Sequence, residues 1–281
     1  MAGIHLLDRL IGDDYPSFAT DAEVHAFEQV PYADRIAVES TYEAISSGAA
    51  CNPDAPAIQF LPNADPVDTP IVVTHRDFVA RITQAANMFH ALGVGRDDVV
   101  SFLLPLLPEA FITLFGAEAA GIANPVNPLL EPHQIAEILQ AARTTVLVAL
   151  GPLPGTNIWQ KVERVRADLK HLKAIVKVCG PPDPANGVYS FGDLIKTQPS
   201  AHLVSGGKIS GEQIAAYFHT RVGGYLNETH NRGAFIDGHW VNSGDLGRRD
   251  KEGFLWITGR AMDLLIRGGR NIDPAKPQLR W

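Results

Sequence analysis

The amino-acid sequence predicts an α/β fold, with parallel sheet layers flanked by helices and a short β-rich C-terminal portion. Three observations carry that expectation. Between residues 74 and 219, short apolar runs of strand length alternate with longer stretches of helical periodicity, the order that a parallel sheet with crossover helices requires. The run at 99–104 (VVSFLL) is almost continuously apolar, as a strand buried on both faces must be. Beyond residue 240 the apolar positions Val241, Phe254, Trp256 and Ile257 fall in short stretches separated by turns such as 250–253.

The elements follow in order. Thr74 with Asp77 three residues on marks a helix start, Phe78, Ile82, Ala85, Phe89 and Leu92 recur at helical spacing, and Gly93 closes the far end. Asp97 and Asp98 lead into the 99–104 strand. Residues 109–120 read as helix, stopped by Gly121, and Pro125 and Pro128 hold the next loop extended. Helix returns over 132–142, strand over 145–150, helix over 159–169 and strand over 174–178. Gly180, Pro181, Pro182, Pro184 and Gly187 then break the pattern. Residues 191–196 suit a short helix, 205–211 a polar turn and 214–219 a last apolar strand. The organisation divides into 1–220, an α/β portion, and 221–281, the β-rich end.

Composition narrows the function. The 281 residues are 46% hydrophobic and 20% charged, the balance of a folded protein with a sizeable core. A net charge of -7, with no long run of either sign, argues against a nucleic-acid partner. Cys51 and Cys179 are far apart and form no CxxC pattern, which suits a reduced, cytoplasmic setting; each reads as a buried or loop thiol. The acids of the first fourteen residues do not suit a secretory leader. Pro105, Pro108, Glu109, Glu118 and Asn124 interrupt the apolar stretch 99–126, so it reads as a buried strand and helix and not as a membrane span.

Residues 240–274, WVNSGDLGRRDKEGFLWITGRAMDLLIRGGRNIDP, carry the most specific chemistry. In Ser243-Gly244-Asp245 a small flexible residue places a carboxylate that can accept both hydroxyls of a ribose. Taken alone, the tripeptide fits an ordinary turn equally well. What distinguishes it is the ordered set behind it: Gly259-Arg260, Asp263, then Arg267-Gly268-Gly269-Arg270-Asn271 and Ile272-Asp273-Pro274. This set resembles the ribose-binding and hinge region of the adenylate-forming (AMP-binding) acyl-CoA synthetases, which activate a carboxylic acid with ATP and pass it to coenzyme A. Residues 74–92, the 99–104 strand and 116–121 leading into Asn124-Pro125-Val126-Asn127-Pro128 resemble scaffold segments of the same family. The two resembling regions, 55–219 and 224–274, cover most of the chain.

The resemblance implies definite roles. Asp245 would hold the ribose of AMP, and Arg260 would lie on the ribose and phosphate side as the catalytic guanidinium. Met262 takes the hinge position, usually charged or polar in the family, with Asp263 beside it. Gly268 and Gly269 would let a loop approach the pantetheine arm of CoA closely; a plain hairpin turn is the other reading of the two glycines. The implied cofactors are ATP/AMP, CoA and Mg²⁺, and the implied partner is a small-molecule carboxylate. The resemblance also implies gaps. Thr220 is followed by Arg221-Val222-Gly223-Gly224, where a Ser/Thr/Gly-rich phosphate loop ending in Lys is expected, and the adenine motif and Mg²⁺-holding acid have no counterpart. Ser205-Gly206-Gly207-Lys208 does not replace it, because His202 stands where a Walker loop needs Gly and Ile209 where it needs Ser or Thr.

The sequence thus reads as an internally shortened large domain without the mobile C-terminal domain and its Lys, with Lys276 too near the hinge to replace it. Weak or absent activity is the expectation, and exposed sheet edges favour self-association. A non-catalytic module binding nucleotide, CoA or an intact synthetase is the alternative. A nucleotide-dependent oxidoreductase ranks lower, since no GxGxxG follows a first strand. His219, His230 and His239 lack zinc-ligand spacing. No GxSxG elbow occurs, and Cys51, read as a loop residue before Asn52-Pro53, has no cue for an activating base.

Overall fold

The computed structural model of the chain describes residues 20–31, 34, 38–62, 69–206, 209, 211, 213–217 and the strand residues 235–236, 240–241, 245–249, 255–260, 265–267 and 270–272. Its centre is a five-stranded sheet of β3 (Val99–Leu103), β4 (Ile122–Pro125), β5 (Thr144–Leu150), β6 (Ala174–Val178) and β7 (Val188–Ser190), in the order β4-β3-β5-β6-β7. Every neighbouring pair is parallel. All residues of β3, β5 and β6 are buried, which explains their near-continuous apolar sequence: helices cover both faces and leave no side for polar alternation.

The helices follow from their caps. The hydroxyl of Thr74 accepts from the backbone of Asp77 to start α3 (His75–Ala91), preceded by α1 (Asp21–Glu28) and α2 (Thr41–Cys51). Gly93 takes φ +81° just past the end of α3, a left-handed conformation that costs glycine nothing. Ile82, Ala85 and Phe89 of α3 are completely buried. Pro108 opens α4 (Pro108–Ala120), where its missing N–H is no loss. There α3 and α4 meet so closely that a Cβ on Gly116 would lie 2.6 Å from the Ala85 Cβ. Further on come α5 (Pro132–Ala141), α6 (Ile158–Val165) and α7 (Phe191–Lys196). Asn87 of α3 ties down the chain after α7: its Nδ2 donates to the carbonyls of Pro199 and His202, and its Oδ1 accepts from Val204 N.

Several expectations change in detail. The stretch around Pro125 is not a loop but strand β4. Proline is tolerated at its last position because the next bond of the ladder is supplied by Val126 N to Phe102 O, 3.0 Å. Strand β7, three residues after a 3-10 turn at Pro184–Asn186, is too short to show periodicity and is fixed by pairing with β6. The helix expected over 159–169 ends earlier, with α6 passing into a 3-10 turn at Arg166–Asp168. Of the strand expected over 214–219, the described residues 214–217 form one parallel bridge, Ala123 to Ala216, beside β4. Cys51 closes α2 instead of lying in a loop, its thiol 3.4 Å from the Ser47 carbonyl, while Cys179 is exposed at φ +65°.

Outside this sheet the pairs are antiparallel: β1 (Pro56–Phe60) with β2 (Ile71–Thr74), β8 (Phe235–Ile236) with β9 (Trp240–Val241), β10 (Asp245–Arg249) with β11 (Leu255–Arg260), and β12 (Leu265–Arg267) with β13 (Arg270–Ile272). The last three pairs form the β-rich end that turn spacing predicts.

Candidate functional site: a carboxylate and a guanidinium on one ladder

Asp245 opens β10 and is the direct register partner of Arg260, which closes β11. Fourteen residues separate the two predicted site positions in sequence, and the strand register opposes them. The next pair is Leu246 with Gly259, and then Gly247 pairs with Ile257, so Thr258 is an extra residue on β11. Such a bulge sharpens the local twist and re-aims the positions beside it, and bulges concentrate next to binding sites. Met262, Asp263, Gly268 and Gly269 lie outside the described residues, as do Gly207, Lys208, His219, His230 and His239. Ser205 and Gly206 are exposed, in keeping with a surface turn.

In open parallel sheets ligands gather beyond the carboxyl ends of the strands. At that end of this sheet, the loops after β3, β4 and β5 present Leu106, Leu129 and Leu153, which are 81%, 65% and 42% exposed. The loop after β4, which holds the Asn-Pro pairs, is fixed by more than its prolines. Lys161 of α6 is buried and its ammonium donates to the carbonyls of Pro128 and Leu130 at 2.8 and 2.9 Å. Asn127 Oδ1 accepts from Leu129 N at 2.9 Å, an Asx turn.

Beneath this rim a polar chain crosses three strands. Asn124 Nδ2 donates to Ser101 Oγ at 2.7 Å, Ser101 Oγ lies 2.7 Å from Thr144 Oγ1, and Thr144 Oγ1 donates to the Leu139 carbonyl. Asn124 Oδ1 is buried without a partner among the described residues. No chemistry attaches to this chain; it aligns β4, β3 and β5.

Sequence reasoning treats Glu118 only as a charge that breaks an apolar run. It is 7% exposed on α4, and its carboxylate accepts from the Thr41 hydroxyl of α2 at 2.6 Å. Burial pushes its carboxyl above the ordinary range, and the Thr41 bond offsets this only in part. The signal was present in the sequence: a carboxylate inside a helix otherwise made for burial.

Two clefts lie on the described surface. One of about 570 Å³ is lined by Trp159, Glu163, Arg166, Lys177 and Asp183. Its cations are already engaged: the Lys177 ammonium lies 4.1 Å from the Trp159 ring centre and donates to the Pro181 carbonyl, while Arg166 pairs with Glu163. Another, about 450 Å³, holds Arg143, Lys170 and His171 beside Asp168 at the C-terminal ends of α5 and the 166–168 turn. Cations are expected there, because helix C-termini carry partial negative charge. Among the described residues no group of three His, Cys, Asp or Glu could hold a metal ion, and no helix is long and apolar enough to cross a membrane.

Comparison with known proteins bears on the fold and the family. The family model described as AMP-binding enzyme matches residues 45–219. A marinolic acid–CoA ligase of Pseudoalteromonas sp. (strain SANK 73390) is 30% identical over 199 residues, which are 71% of this chain and 30% of that protein. A 2-succinylbenzoate–CoA ligase of Bacillus cereus (strain Q1) is 46% identical over 55 residues, 20% of this chain and 11% of its own length. Among solved structures, an anthranilate CoA ligase in complex with anthranoyl-AMP superposes at a TM-score of 0.55 with 23% identity, covering 69% of this chain and 34% of the other. Coronafacic acid ligase from Pectobacterium brasiliense gives 0.55 at 12% identity, covering 65% and 34%. These two likenesses show the fold. The chain spans about a third of the length of the marinolic acid ligase. By sequence match over most of its described core and by fold, this chain belongs to the AMP-binding enzyme family, the family its ribose and hinge motifs resemble.

Proposed function

We propose that the chain is a diminished acid–CoA ligase, one that keeps the ribose-holding carboxylate of an AMP-binding enzyme but does not by itself form acyl-adenylates efficiently. The observation that carries this reading is the opposition of Asp245 and Arg260 on one bulged ladder, in a chain that passes from Thr220 to Gly224 without a phosphate loop. Asp245 accepts the two ribose hydroxyls of AMP, and Arg260 lies toward the phosphate side. ATP supplies the adenylyl group and CoA the thiol, with Mg²⁺ neutralising phosphate charge when present. A carboxylate suits a ribose diol by its chemistry, and among the described residues no group of three His, Cys, Asp or Glu could hold Mg²⁺. Met262 and Asp263 take the hinge positions, and Gly268 and Gly269 the positions nearest pantetheine.

The expected loss of rate has a physical size. Preorganised donors aimed at developing charge are each worth about 10²–10³ in kcat. A phosphate loop contributes several backbone donors and a Lys, so its absence removes more than one such factor. The ATP–pyrophosphate exchange assay tests this with a panel of carboxylic acids and the purified chain. Exchange close to background is expected; robust exchange overturns the reading. In calorimetry AMP binds, and Asp245→Ala weakens it at least about tenfold, the cost of a charge-assisted hydrogen bond pair. The second reading is a non-catalytic nucleotide- or CoA-binding module, favoured by the same retained carboxylate. AMP or CoA binding with no acid-dependent exchange for any carboxylic acid tried supports it, whereas a small residual acid-dependent exchange supports the diminished ligase. We also infer a cytoplasmic location, from the family resemblance and the two free thiols, and self-association through open sheet edges.

A further inference from the structure

We infer that the cleft of about 450 Å³ between the end of α5 and the 166–171 segment is a binding site for a small sugar phosphate. Arg143 and Lys170 take the phosphate, and Gln140 and Asp168 take the hydroxyls. The cleft lies where β5 begins, at the opposite end of the parallel strands from the leucine-bearing loops. The backbone of Arg143 carries the reading. It stands two residues past the end of α5 at φ +55°, a left-handed conformation that costs glycine nothing and that Gly93 supplies at the equivalent place after α3. The fold gains nothing from an arginine there, so the reason for one lies in its charge, on the wall of the cleft.

Cations at a helix end ordinarily serve its last carbonyls. Here those of Ile138, Leu139 and Gln140 are taken by other donors: Ala142 N, the Thr144 hydroxyl at 2.9 Å and Arg143 N. The side chains of Arg143, Lys170 and His171 make no hydrogen bond or ion pair among the described residues, and Asp168, in the same cleft, pairs with none of them. Their charge is therefore unspent. Residues 164–173 hold Arg164, Arg166, Lys170 and Lys173 against Asp168 alone, in a portion, 1–220, that has 14 Lys and Arg against 24 Asp and Glu. A phosphate is steered to such a place, and the planar fork of an arginine suits its oxygens. Leu139 and Leu169 are buried and give the cleft an apolar floor for the carbon face of a sugar. The Asp168 carboxylate and the Gln140 amide match its hydroxyls. That carboxylate repels a bare polyanion, so it selects a phosphate that brings hydroxyl donors with it.

This site shares no residue with the Asp245 and Arg260 pair, and the measurements keep the two apart. Calorimetry on the full chain at low salt is run with ribose 5-phosphate, inorganic phosphate and ribose. Ribose 5-phosphate should bind saturably, at least about tenfold more tightly than phosphate, and ribose should give no saturable heat. The affinity should fall as salt rises. Arg143→Gly keeps the left-handed backbone and removes the guanidinium, so binding should weaken at least about tenfold while the urea midpoint stays level or rises. Lys170→Gln should also weaken binding, and Asp168→Asn should narrow the preference for ribose 5-phosphate over phosphate. Asp245→Ala should leave all of this unchanged, so failure of the AMP reading would not be mistaken for failure of this site. Uridine monophosphate separates the two sources of a sugar phosphate: Arg143-dependent binding as tight as that of ribose 5-phosphate marks a nucleotide, and weaker binding marks a free sugar phosphate. Absence of saturable ribose 5-phosphate binding, equal binding by Arg143→Gly, or its loss in Asp245→Ala overturns the inference.

Discussion

The carboxyl of Glu118 lies in the contact between α2 and α4, where burial pushes it above its ordinary value of 4.5. The sign of the linkage follows. The folded chain holds this proton more tightly than the unfolded chain, so stability is highest below the unfolded value and falls as pH rises through the folded one. Glu118→Gln removes that loss and keeps an acceptor for the Thr41 hydroxyl. At pH 8 its thermal midpoint should exceed that of the parent, by under about 1 kcal/mol in stability, and at pH 4 the difference should vanish. An equal gain at both pH values would refute a protonation origin. Asn87 and Lys161 make a related point: each spends several hydrogen bonds on loop carbonyls, and neither role leaves a trace in local sequence.

The crossing of α3 and α4 depends on a missing side chain. Gly116 faces Ala85, Ala86 and Ile82 at distances where an added Cβ meets Ala85 Cβ at 2.6 Å. Gly116→Val adds volume that neither backbone can yield without moving a helix, and valine gains little helix propensity over glycine. The cost should be about 1–3 kcal/mol, seen as a lower urea midpoint with an unchanged m-value. A midpoint equal to the parent's would show that the helices part freely. The short hairpins β10–β11 and β12–β13 behave differently, because each carries its message in register: one rung opposes Asp245 to Arg260, the other Arg267 to Arg270.

A parallel sheet gains stability from burial on both faces, and its edges are the vulnerable part. On the β7 side Asp183 bridges to Val188 and covers the edge. Among the described residues the β4 side is covered by the single Ala123–Ala216 bridge, with Ile214 55% exposed, and Ile71 and Val72 of β2 are half-exposed. Size-exclusion chromatography should show species larger than the 30.4 kDa of one chain. A monodisperse monomer with a sharp thermal transition would contradict the inferred self-association.

The sequence alone determined the fold class, the main helices, the fully buried strands and the family, because periodicity, caps and the ordered 240–274 motif are local patterns that burial imposes on residue order. It also offered Asp245 and Arg260 as candidate site residues. Only the tertiary structure decided that these two are rung partners beside a bulge, since register depends on which residues pair and not on either strand's composition. It likewise decided that Pro125 belongs to a strand, that the described residues 214–217 contribute one bridge, and that Glu118 is a buried acceptor. Each of these depends on a neighbour distant in sequence, and contacts of that kind exist only once the chain has packed.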